Sequence, residues 1–298
     1  MSRPVLAGID GSVHSSVAAG WAAREAARRG VQLRLIHAFP LLPGAAVPLP
    51  AVDWLRHMGE QMLQRAVADL GERHPDLAMR TEQADDAPAS ALLAAARTAG
   101  ILVVGTRGAG GFDGLVVGSV ALRMAMAAPC PVVLVPQQRA DALGAGRPAA
   151  RGAAQAVVGF DAHHPVSETA DFAFSAAEAR GAHLRVVQAW TLPADSVSSR
   201  TLAVTEEDRA TWEDQEVLQL SDALRPWQEK YPRVPVRPDV VLLHPAEALL
   251  NTSRGSELLV VGRRTDPQAV DGRLGSVTHA VVHHARCPVA VVPHMGWS

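Results

Sequence analysis

Apolar and polar positions along this chain predict strands and helices in alternation. Residues 5–9 form a short apolar run, and an Ala-rich helix is predicted over about 13–29, stopped at Gly30. Residues 33–39 read as a second strand, after which Leu55, Met58, Met62, Ala66 and Leu70 recur at helical spacing. A weaker strand follows around 77–82, then a helix over 89–99 ended by Gly100. Residues 101–104 and 132–135 are continuous apolar runs, as expected of parallel strands covered on both faces. Five strands with intervening helices imply an α/β fold, a doubly wound parallel sheet with helices on both faces. Ligands of such sheets bind beyond the carboxyl ends of the strands, where strand order reverses. The loops after the first and fourth strands are therefore the places to look.

The whole pattern occurs twice. Val5-Leu-Ala-Gly-Ile-Asp10 returns as Ala156-Val-Val-Gly-Phe-Asp161, 151 residues later. Val103-Val-Gly105 returns as Val260-Val-Gly262, Gly118-Ser119 as Gly275-Ser276, and Cys130-Pro-Val132 as Cys287-Pro-Val289, each 157 residues later. The second copy thus carries a net six-residue insertion, expected between its second strand and its third helix. A period this long indicates duplication of a whole domain rather than a solenoid. The expected boundaries are 1–137 for the first domain, 138–154 for an Ala-, Gly-, Arg- and Pro-rich linker, and 155–298 for the second.

Composition narrows the function classes. With 298 residues, 48% hydrophobic and 19% charged, the chain is an ordinary globular protein of two-domain length. Its formal charge of −2 gives no reason to expect nucleic acid or an anionic membrane as partner. Lys230 is the only lysine, so a phosphate loop of the Gly-Lys-Ser/Thr type is excluded. Two cysteines, Cys130 and Cys287, are too few for a disulfide scaffold, and no apolar run is long enough to span a membrane. The expected location is a reduced cytoplasm.

After the fourth strand the first copy reads Val104-Gly-Thr-Arg-Gly-Ala-Gly-Gly-Phe-Asp-Gly-Leu-Val-Val-Gly-Ser-Val120. A glycine-rich loop leading into a helix N-terminus presents backbone amides to phosphate oxygens, and Ser119 reads as a good N-cap. By itself the loop could equally be a flexible connector. It is a poor dinucleotide fingerprint, because Asp113 stands where the third glycine belongs and the loop follows the fourth strand.

Gly105-x2-Gly108-x9-Gly118-Ser119 resembles the ATP-binding pattern of the universal stress protein family, spacing included. Asp10 at the end of the first strand, His37-Ala38 in the second, and Ala-Pro-Cys-Pro-Val before the fifth resemble the family's other marks. The resemblance covers essentially the whole chain as two tandem domains, and implies strand order 3-2-1-4-5 in each. It implies ATP, with or without Mg2+: adenine near Asp10 and Ala38, ribose near Gly105 and Gly108, and phosphates at Gly118, Ser119 and Val120. In the second copy Asp161, Ala189, Gly262, Gly275 and Ser276 match, but Thr265 replaces the second glycine. If position 265 needed a left-handed backbone, that site would be the weaker one. Arg263 and Arg264 would offset the loss if they faced a triphosphate, but each reads more readily as an ordinary solvated loop arginine. The resemblance further implies pairing of the two copies through their fifth strands; a homodimer of whole chains stays open.

Other chemistry is weaker. His279 and His283 have two-histidine metal spacing but no obvious third ligand, and His163 and His164, which follow a strand and could reach a ligand, read more readily as exposed. Neither Gly118-Ser119 nor Gly275-Ser276 forms a nucleophile elbow. Asp10 and Asp113 are the conceivable magnesium ligands or bases, with no acid/base pair in view. Three readings remain: a nucleotide-dependent stress sensor, a slow ATPase using Asp10 and a divalent cation, and an interaction module with a vestigial pocket.

Overall fold

The computed structural model describes residues 3–39, 49–108, 117–137, 154–191, 205–265 and 272–295. The first apolar run becomes β1 (Val5–Gly8), followed by α1 (Val13–Arg29), β2 (Leu33–Ala38), α2 (Leu49–Arg73) and β3 (Met79–Ala84). Then come α3 (Pro88–Ala96), β4 (Ile101–Gly105), α4 (Ser119–Ala127) and β5 (Val132–Val135). The second half repeats the order as β6 (Gln155–Gly159), α5 (Ser167–Arg180), β7 (His183–Trp190), α6 (Glu206–Lys230) and β8 (Val236–Leu242). It ends with α7 (Pro245–Thr252), β9 (Leu258–Thr265), α8 (Ser276–His284) and β10 (Val289–Met295). The two first helices stop alike: Gly30 at φ 61° and Gly181 at φ 59° adopt the left-handed turn that glycine tolerates best.

All ten strands form one sheet in the order β3-β2-β1-β4-β5-β10-β9-β6-β7-β8. Each half is parallel throughout, in the order 3-2-1-4-5. The halves meet where β5 pairs antiparallel with β10, Val132 opposite Val291 and Leu134 opposite Val289. That pairing covers two strand edges that would otherwise expose unpaired backbone groups. The 25-residue helices α2 and α6 lie 157 positions apart, whereas β2 and β7 keep the earlier offset of 151. The insertion therefore precedes the second helix of the second half, within the interval between second strand and third helix that the sequence marked out.

Strand alternation divides the core between the two faces. Val5, Ala7, Val133 and Val135 point to one apolar layer, Leu6, Val132 and Leu134 to the other, and both layers run across the two halves. At the seam α1 meets α5 through Glu25 and Arg180, 2.6 Å apart and each with a side chain 1% exposed. Burial so complete requires pairing, since an isolated charge there would be very costly. Expected linker positions 138–153 lie outside the described residues.

Candidate functional site

The first-half cleft forms where β1 and β4 end and α4 begins. β1 stops at Gly8, and the Ile9 amide donates to the Ile36 carbonyl at 2.8 Å, which holds the following turn against β2. The His37 ring nitrogen Nδ1 lies 2.8 Å from the Ile9 carbonyl and fixes the same turn from the side. Asp10 then accepts hydrogen bonds at Oδ1 from the Ser12 amide at 3.0 Å and the Ser12 hydroxyl at 2.6 Å. Ser12 caps α1 by accepting from the Ser15 amide at 3.1 Å. A Cβ on Gly108 would lie 2.6 Å from Asp10 Oδ2, and one on Gly105 would lie 2.8 Å from the His14 carbonyl. Close packing of the protein against itself thus explains both glycines.

These residues enclose a pocket of about 500 Å³. Ile36, Pro88, Leu92 and Val104 give it an apolar wall; Asp10, Arg107 and Ser119 give it polar groups. All seven first-half residues singled out in the sequence line it: Asp10, Ala38, Gly105, Gly108, Gly118, Ser119 and Val120. Ser119 is the first helical residue rather than the cap. Gly118 holds the cap position with extended backbone and no side chain to close the helix end, so the first-turn amides face the cleft without a capping oxygen. The Gly118 amide donates to the Thr106 carbonyl at 2.7 Å. Beside the pocket, burial lowers the pKa of His14 and the charge of Arg107 lowers it further, against the pull of Asp10. Asp113 lies outside the described residues.

The second-half pocket, about 470 Å³, has different chemistry. Asp161, Ala189 and Gly262 line it, but at the helix its walls are Val277 and Thr278 rather than Gly275 and Ser276. The Thr278 hydroxyl donates to the Gly262 carbonyl at 2.8 Å. Buried Gln188, the counterpart of His37, accepts from the Ala162 amide at 3.0 Å and donates to Glu216 at 3.0 Å. Glu216 also lies 3.1 Å from His163 Nε2. Sequence reasoning passed over Glu216, although at the offset of 157 it stands where the first copy has Gly59.

Two expectations for this half are corrected. Thr265 does not sit in a left-handed turn, for no described non-glycine residue has positive φ. It is the last residue of a β9 that outruns β4, opposite Met295, with its hydroxyl donating to the His294 carbonyl at 2.8 Å. Arg263 does not face the pocket either. Buried at 6% exposure, it crosses to the first half and donates to the Met126 and Ala128 carbonyls, each at 2.6 Å. A cation there answers the negative end of α4. Arg264 is exposed.

The His279 and His283 rings lie with centroids 4.5 Å apart, tilted by 35°, and among the described residues no group of three or more metal-ligating side chains occurs. Cys130 and Cys287 are buried, and burial pushes the Cys130 thiol up to about 11. Among the described residues no helix is long and apolar enough to cross a membrane.

Sheet order and cleft position define a doubly wound α/β protein, duplicated in one chain, whose pockets open at the carboxyl ends of the strands. The chain matches the universal stress protein family over residues 1–136 and again over 154–293. A universal stress protein of Mycobacterium tuberculosis is 38% identical over 311 residues, covering 97% of this chain and 96% of the relative. A second one from the same organism is 31% identical over 304 residues, covering 98% and 99%. The crystal structure of a universal stress protein from Archaeoglobus fulgidus has the same fold, with TM-score 0.67, 18% identity, and 98% and 99% coverage. This chain belongs to the universal stress protein family, as a tandem-domain member.

Proposed function

We propose that this chain is an ATP-binding stress-response protein whose first-half pocket holds the nucleotide. The observation that carries this reading is the convergence of all seven first-half motif residues on one cleft beside an uncapped helix N-terminus. An apolar wall suits adenine, and the amides of Ser119 and Val120 with Arg107 nearby suit phosphates. When bound, ATP would supply the charge that this helix end lacks.

Asp10 is the one carboxylate among the described lining residues. Its Oδ1 is engaged by Ser12 and its Oδ2 abuts Gly108, which supports a positioning role over a water-activating one. We therefore read the protein as a nucleotide-dependent sensor or regulatory module, and a Mg2+ ion, if present, as a partner of the phosphates. The second-half pocket, with Asp161 and Glu216 and neither arginine nor lysine in its described lining, is the poorer host for a triphosphate.

Native mass spectrometry of the chain purified without added ligand tests both points. A retained mass of ATP that stays intact over days supports the sensor. Steady conversion to ADP or AMP indicates hydrolysis, and a chain that neither retains nor takes up adenine nucleotide overturns the reading.

A further inference from the structure

At the amino ends of β1 and β4, opposite the end where the first-half pocket opens, the two halves line an open cavity of about 670 Å³. Its floor is Val5 and Ile101, at the amino ends of β1 and β4, together with Val31 just after α1. Four arginines line it, Arg3, Arg28 and Arg29 from the first half and Arg233 from the second, against one carboxylate, Glu178. Part of this charge has structural work. Arg28 and Arg29 occupy the last turn of α1, where cations offset the helix dipole. Arg233 reaches Glu178 at 3.0 Å, and Arg28 approaches Glu257 only to 3.8 Å.

The remainder is only partly paired among the described residues. Arg3 forms no ion pair among the described residues. Arg29 spends Nε on Glu25 at 2.6 Å and Nη1 on Ser175 at 3.3 Å, and its guanidinium lies over the Phe172 ring, 5.6 Å from the centroid, while its solvent-buried Nη2 has no hydrogen-bond partner among the described residues. The side chains of Arg28, 34% exposed, and Arg233, 83% exposed, are open to an oxyanion together with Arg3. Arginine forks match phosphate oxygens two at a time, and a cavity of this size has room for more than one such group.

We propose that this seam cavity binds a small polyanion of the phosphate class, bridged between the two halves. Such a ligand contacts Arg3, Arg28 and Arg29 on one side and Arg233 on the other, and so favours the paired arrangement of the halves over a separated one. Its site is independent of the ATP pocket, which lies at the other end of the strands.

Methyl NMR of the full chain, titrated with inorganic tripolyphosphate, locates binding directly. The methyls of Val5, Val31 and Ile101 report on the seam, and those of Leu92 and Val120 on the ATP pocket. Saturable shifts at the seam methyls are expected, with at least tenfold weaker binding there in an Arg28→Gln/Arg233→Gln protein. Arg3→Gln, which breaks no ion pair, should weaken the same shifts and serves if the double variant loses its fold. The proposal is overturned if tripolyphosphate moves only Leu92 and Val120. Sodium chloride of equal ionic strength producing the same seam shifts, or an unchanged midpoint in the variants, overturns it as well.

Discussion

Asp10 and Gly108 fit one another: the carboxylate occupies the space in which any side chain at 108 would stand. The glycine spacing legible in the sequence therefore records contacts of the protein with itself as well as access for a ligand. Arg263 makes the opposite point. Its position beside Gly262 reads as part of a ligand loop, yet the side chain turns to the neighbouring half and bonds two carbonyls at the end of α4. No sequence pattern reveals such a contact, because the partner lies more than a hundred residues away and is backbone. Replacing Arg263 with Met leaves both carbonyls without a charged donor. Hydrogen bonds to charged groups contribute about 1.5–3 kcal/mol, so Arg263→Met should lower unfolding stability by roughly that amount in urea titrations. No change in midpoint would mean that the clamp adds nothing to stability.

Among the elements, continuous apolar runs placed β4 and β5 closely, because strands buried on both faces leave an unbroken signal. The third strand was legible only to within about two residues, 77–82 expected against Met79–Ala84 found. As an edge strand it is mostly half-buried or exposed, which weakens the alternation that marks a register. The length of β9 was not legible at all. Thr265 has the pairing of a strand, so a glycine there removes a β-branched residue from extended backbone without restoring a loop. Thr265→Gly should therefore destabilise the protein by about 0.5–1 kcal/mol or more in thermal melts, and should leave ATP binding as it was. A gain of a second ATP site in that variant would show that strand extension is not what separates the two pockets.

For the whole molecule, the duplication could be read from repeated motifs, while the 3-2-1-4-5 order and the joining of the copies through β5 and β10 are as the family resemblance implied. What the sequence did not convey is how unlike the two clefts are. Both clefts meet a helix whose glycine cap, Gly118 or Gly275, offers no side-chain oxygen; the first adds Gly108 and Arg107, whereas the second holds Glu216 bonded to Gln188 and closes its strand end with Thr265. On the proposed reading, one pocket of the chain takes a triphosphate and the other disfavours it. The most direct measurement is calorimetric titration of ATP into the wild type and into Gly118→Ala. A methyl at Gly118 meets nothing nearer than 3.6 Å and needs no unusual backbone, so the fold should be unchanged by circular dichroism. Yet it stands where phosphate would meet the α4 amides. The account predicts one tight ATP per wild-type chain and binding at least tenfold weaker, about 1.4 kcal/mol, in the variant. Equal affinity in the two proteins, or two equivalent sites in the wild type, would contradict it.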